Sequence, residues 1–129
     1  MKKEIHTVKA PAAIGPYSQG IQVGDFLFLS GQIGIDPTNG EVVSGITEQT
    51  HQVMKNIKAI LEEADADFSH VVKFTIYLAS IDDFAIVNEI YGSYLQKPYP
   101  ARSTIEVSRL PKDVLIEIDA IVHRPVNNK

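Results

Sequence analysis

The chain has 129 residues, of which 44% are hydrophobic and 22% charged, with a net charge of −4 and no cysteine. That length suits one domain able to bury about two-thirds of its unfolded surface, and the apolar fraction excludes a disordered chain. Lack of cysteine excludes disulfides, thiolate metal sites and a cysteine nucleophile, while an acid excess without a basic block is a poor footprint for nucleic acid.

The apolar stretches fall short of the roughly 20 residues of a spanning helix, so no membrane partner is expected. Residues 1–10 lack the apolar stretch of a secretory leader, which makes a cytoplasmic protein the expectation. No repeat or linker-like composition shift divides the chain. The reading is one domain over residues 1–129, with Asn127 to Lys129 as a loose tail.

In chain order, Lys3 to Val8 reads as an opening strand broken by Ala10-Pro11, and Gly15-Pro16-Tyr17-Ser18 as a turn cluster. Ile21–Val23 and Phe26–Leu29 flank Gly24-Asp25, a hairpin signal. Gln32–Ile35 and Glu41–Val43 flank Asn39-Gly40, whose preference for positive φ predicts a second hairpin. From Ile46 onward, Val53, Met54, Ile57, Ile60, Leu61 and Ala64 recur at helical spacing, with Thr47 as the expected N-cap. The segment from Val71 to Leu78 is a strand, with Val72, Phe74, Ile76 and Leu78 on one side. A second helix opens near Asp82, carries Phe84, Val87, Ile90, Tyr91 and Tyr94 on one side, and stops before Pro98. Arg102–Val107 and Val114–Val122 close the chain as strands. The order predicts an α+β fold: a mixed, mostly antiparallel sheet with two helices on one face.

The last strand is the most informative for chemistry. Ile116, Ile118, Ala120 and Val122 form an apolar face, whereas Leu115, Glu117, Asp119, Ile121 and His123 form the other. Two carboxylates on a central strand are costly to bury unpaired, although one solvated face would account for them. Arg102 opens the preceding strand after Pro100-Ala101, and arginine is the best side chain for a bidentate grip on a carboxylate. If those two strands pair as neighbours, Arg102 and Glu117 reach a common cleft with one cationic anchor and one acid or base. The four histidines have no metal-type spacing, and no Gly-rich loop supports a nucleotide.

Pro100-Ala101-Arg102-Ser103, Arg109-Leu110-Pro111-Lys112-Asp113 and Ile116-Glu117-Ile118 resemble the signature of the RidA family, the reactive-intermediate deaminases also called YjgF. So do the run from Ala10 to Gly20, Ser30-Gly31-Gln32, Asp83-Phe84 and Val87-Asn88. These segments lie in order over nearly the whole chain.

The resemblance implies a chorismate-mutase-like α+β fold assembled as a homotrimer with clefts between subunits. It implies a 2-iminobutanoate/2-iminopropanoate deaminase that hydrolyses enamine and imine acids such as 2-aminoacrylate to 2-oxo acids and ammonia, with no cofactor and no metal. Carried over by position, Arg102 binds the substrate carboxylate and Glu117 holds or activates the water. Tyr17, Ser30, Gly31, Asn88 and Thr104 line the cleft. Many relatives have cysteine where this chain has Thr104, so thiol chemistry does not transfer. The competing expectation is a non-catalytic member that uses the same cleft to sense a ligand.

Overall fold

Two apolar stripes, one on a helix and one on a set of strands, close on each other to form the core. A computed structural model describes residues 1–126; the tail expected from Asn127 lies outside the described residues. The strands are β1 (Lys2–Ile5), β2 (Gly20–Val23), β3 (Phe26–Ile33), β4 (Ile35–Asp36), β5 (Glu41–Val42), β6 (Val71–Leu78), β7 (Ala101–Glu106) and β8 (Ile116–His123). Helix α1 spans Ile46–Glu63 and α2 spans Phe84–Ser93.

Six strands form one sheet in the order β1-β2-β3-β8-β6-β7, and β4 with β5 makes a separate hairpin. All neighbours are antiparallel except β6 and β7, which run parallel with α2 as their crossover. The α+β architecture with a mixed sheet is the one expected.

The α1 stripe of Val53, Met54, Ile57, Ile60 and Leu61 is fully buried, as are Phe74, Ile76, Leu78, Ile116 and Ile118 on the facing strands. Burying an aliphatic or aromatic side chain stabilises by about 1.5–3 kcal/mol, so this seam dominates the fold. Helix α2 adds Val87 and Tyr91, the latter edge-on to Phe74 with ring centroids 5.4 Å apart.

Several local expectations shift, each for a physical reason. The opening strand ends at Ile5, because the Thr7 backbone is taken up by Gln19 instead of a ladder. Gln32 and Ile33 belong to β3, so the second hairpin keeps only two residues per strand. Thr47 is not the N-cap: Gly45, at φ +87°, turns the chain into α1 two residues earlier. A single turn of 3₁₀ helix at Ile81–Asp83 precedes α2, with the Ser80 hydroxyl accepting from the Asp82 N–H. In β6, a register shift between Val71 and Lys73 turns Val71 inward and leaves Val72 exposed.

The largest correction concerns strand order. β7 and β8 are not neighbours; β6 lies between them and pairs with both. The chain enters β7 from α2, and that crossover delivers it to the free edge of β6.

Two buried glutamines fasten the irregular segments. Gln49 donates to the Val43 carbonyl and accepts from the Leu115 N–H, tying the start of α1 to the approach to β8. Gln19 accepts from the Thr7 N–H at 2.7 Å and donates to the carbonyls of Thr7, Ala10 and Pro11. Such a latch replaces a strand ladder over residues 7–11. Gln19→Ala is expected to cost about 1–3 kcal/mol by orphaning these buried backbone groups. Urea unfolding measures it, and an unchanged midpoint would show that the latch adds nothing.

Candidate functional site

The outward face of β8 carries the carboxylates, and β3 is shaped around them. Between Leu29 and Gln32 the β3–β8 register slips by one residue, so Ser30 and Gly31 bulge out of the ladder. The slip reverses the inward alternation: Leu27 and Leu29 point to the core before it, and Gln32 after it. Freed from the ladder, the Ser30 N–H donates to the Gln19 carbonyl and its hydroxyl to the Ser18 carbonyl. Gly31 has a steric reason to be glycine. A Cβ there would collide with the Glu117 carboxylate, which rests directly against the bulge.

These groups line a cavity of about 620 Å³ together with Tyr17, Pro11, Ile14, Pro111 and Lys112. The Tyr17 hydroxyl accepts from the Ile14 N–H at 3.3 Å, and the Gln19 latch holds Pro11 in the wall. Opposite, Arg109 grips Asp113 through two contacts of 2.6 and 3.1 Å. That pair spans Lys112 and Asp113, both in the left-handed region at φ +57° and +55°. Two successive non-glycine residues in that region carry strain, which such a clamp helps to offset.

Glu117 is half-buried and, among the described residues, accepts no hydrogen bond. Burial pushes its carboxyl above the ordinary range, and the Asp119 charge adds to the rise. Lys112 is the one cationic residue in the cavity lining.

Arg102 sits elsewhere. In the β6–β7 register it lies beside Phe74, on the helix-facing side, whereas Glu117 lies beside Tyr77 on the opposite side. Its guanidinium stands over the rings of Phe84 and Tyr91, 5.1 and 5.3 Å from their centroids, and donates to Asn88 at 2.5 Å. Asn88, Tyr91 and Arg102 line a second cavity of about 410 Å³ with Tyr99 and Pro100. Thr104 follows on the same face as Arg102, and its buried hydroxyl has no hydrogen-bond partner among the described residues.

A single chain therefore holds two separate clusters. Tyr17, Ser30, Gly31 and Glu117 come together in one; Asn88 and Arg102 come together in the other, with Thr104 beside them on β7. The expected meeting of Arg102 with Glu117 through neighbouring strands does not occur within the chain. Sequence reasoning missed Lys112, whose left-handed backbone has no glycine to announce it. It also missed the link from Tyr77 to Asp119, which depends on cross-strand register.

The model of the family described as endoribonuclease L-PSP matches residues 7–124. A RutC family protein of Pyrococcus abyssi is 58% identical over 124 residues, covering 95% of this chain and 98% of its own. The human 2-iminobutanoate/2-iminopropanoate deaminase is 48% identical over 122 residues, covering 94% and 89% respectively. The crystal structure of RidA from an Antarctic Psychrobacter superposes with a TM-score of 0.92 at 45% identity, over 94% of this chain and 98% of that one. The chain belongs to the RidA/YjgF family, with the fold of its solved members. Among the described residues no helix is long and apolar enough to cross a membrane.

Two predictions follow from the Glu117 environment. Because the folded carboxyl binds its proton more tightly than the unfolded one, its contribution favours folding at low pH and is lost as pH rises through the folded value. Glu117→Gln is therefore expected to raise the melting temperature at neutral pH, and the gain should vanish on acidification below the ordinary carboxylate range. Thermal melts of both proteins across that span measure it. Gly31→Ala is expected to cost about 1–3 kcal/mol by overpacking, and Gly31→Ala with Glu117→Ala less than the sum of the two changes. Additive losses in that double-mutant cycle would mean that the glycine does not serve Glu117.

Proposed function

We propose that this protein is a cofactor-independent imine/enamine deaminase of the 2-iminobutanoate/2-iminopropanoate class. It converts reactive 2-imino acids and their enamine tautomers, such as 2-aminoacrylate, to 2-oxo acids and ammonia. The observation that carries this reading is the half-buried, unpaired Glu117 against Gly31, in a cavity shared with Tyr17 and Ser30. The likeness to a human protein named for this activity supports it.

The imine carbon is already electrophilic, so hydrolysis needs orientation and proton movement more than covalent help. Arg102, preset by two rings and Asn88, offers a bidentate grip for the substrate carboxylate. Glu117 accepts a proton from water as it adds to the imine carbon and passes it to the nitrogen; as the C–N bond breaks, it carries the proton of the new hydroxyl to the nitrogen in the same way, which releases ammonia and leaves the 2-oxo acid. Burial that raises the carboxyl toward the working pH suits it to both steps. Asn88 supports the grip, Thr104 lies two residues along β7 from Arg102 on the same face, and Tyr17, Ser30 and Gly31 shape the water-bearing half.

The separation of the half-sites supports a homotrimer as the working form. A second copy that presents its Arg102 edge to the Glu117 cavity unites them, and three such contacts close a ring. An uncovered outer face points the same way, with Val23, Phe26, Phe28 and Ile105 each 43–46% exposed. A cytoplasmic setting beside pyridoxal-phosphate dehydratases, which release such imines, fits this role.

The decisive experiment couples a serine or threonine dehydratase to the purified protein and follows 2-oxo acid release. Faster release is expected; no acceleration overturns the reading, and 2-oxo acid binding without acceleration would instead indicate a sensing role. Arg102→Ala is expected to abolish acceleration with the trimer intact by light scattering. Glu117→Gln should lower kcat by about 10²–10⁴-fold, with a smaller effect on KM.

A further inference from the structure

Beside Glu117 on the outer face lies a second carboxylate that the hydrolytic steps above do not use. Asp119 is two residues along β8, so the two side chains leave the same face about 7 Å apart along the strand. Tyr77 on β6 stands directly across from Glu117 in the antiparallel register. Its hydroxyl nevertheless does not serve its cross-strand partner. It leans along the strand and donates to Asp119 at 2.9 Å.

This choice of acceptor separates the fates of two neighbouring acids. Asp119 is held in place by that hydrogen bond. Glu117 keeps both oxygens free. A tethered negative charge beside an untethered, half-buried carboxyl makes ionisation of the latter harder, and pushing two acids apart in this way is a recurrent means of making one a proton carrier near neutral pH.

We infer that Asp119, held by Tyr77, is a positioning residue that strengthens the hold of Glu117 on its proton beyond what burial alone does, and that Tyr77 fixes the geometry of that influence. The inference deepens the deaminase reading and, for its catalytic consequence, rests on it. Every charged or titratable group around Glu117 enters the balance. Burial and, after it, Asp119 on β8 raise its proton affinity, and Lys112 from the strained turn stands in the same cavity lining. Tyr17 faces the cavity from the N-terminal segment, Tyr77 stands across from Glu117 on β6, and β3 contributes only the uncharged Ser30, Gly31, Gln32 and Ile33. In the trimer proposed above, Arg102 of a second copy is a further cation to be counted. Tyr77 itself is raised by burial and by its bond to Asp119, so it remains a neutral donor at working pH.

Carboxyl-¹³C NMR of glutamate-labelled protein, with the Glu117 resonance assigned from Glu117→Gln, tests this without any turnover. Asp119→Asn keeps an oxygen for the Tyr77 hydroxyl but removes the charge, and is expected to move the Glu117 midpoint to lower pH. Asp119→Glu, which keeps the charge, is expected to restore most of the shift. Tyr77→Phe releases the Asp119 carboxylate and should give a smaller displacement in the same direction. A Glu117 midpoint that is unchanged or higher in Asp119→Asn overturns the inference. In the coupled assay, the acid limb of kcat/KM should follow the NMR midpoint to lower pH. If the wild-type protein does not accelerate imine hydrolysis, the deaminase reading fails while the titration still decides the role of Asp119. If it does and the midpoint stays in place, only the role of Asp119 fails.

Discussion

The period of two along a β-strand is the constraint on which this molecule depends. Once α1 and α2 cover one face of the sheet, every second residue of β8, β6 and β7 is assigned to the core or to the opposite side. Ile116, Ile118, Ala120 and Val122 go inward and stabilise the fold; Glu117 and Asp119 are thereby committed to the other face. The same parity puts Arg102 on the helix side of β7, among the side chains of α2. No local adjustment brings these two residues together, because a one-residue slip would invert every buried position with them. The packing keeps the two residues apart.

Within that constraint, one irregularity makes room for a carboxylate. The Ser30–Gly31 bulge removes two residues from the β3 ladder at the point where Glu117 needs space, and the missing Cβ of Gly31 supplies it. The bulge also turns Gln32 inward and sends Ser30 to the Ser18 and Gln19 carbonyls, which fastens the N-terminal wall of the cavity. Strain on the far side, at Lys112 and Asp113, is bridged by a surface ion pair worth little in stability by itself. Its value lies in holding a cation-bearing turn in one shape.

Much of this was legible in the sequence, and unevenly so. Helix α1 and the inward face of β8 announce themselves because their periodicity is local and long. The candidate residues were legible one at a time: Glu117 as a carboxylate opposite an apolar face, Arg102 as a cation at a strand entry. Their relation was not, since the insertion of β6 between β7 and β8 is a matter of topology that no nearby residue encodes. The same holds for the β3 bulge, whose only mark is an unremarkable Ser-Gly, and for the bond between Tyr77 and Asp119, 42 residues apart. Thr47 looked like a cap because its chemistry is right, but Gly45 takes the position through backbone freedom alone.

The Gln19 latch has a further consequence that lies in the direction of its dipole. Its oxygen meets one N–H, while its nitrogen lies among three carbonyl oxygens. Glutamate would fill the same volume and place a lone-pair-bearing, charged oxygen among those carbonyls, turning attraction into repulsion. Side-chain deamidation makes the same replacement, so slow chemical ageing at this one position would loosen the N-terminal wall of the cavity as effectively as a mutation. Polarity, not size, is what the position demands.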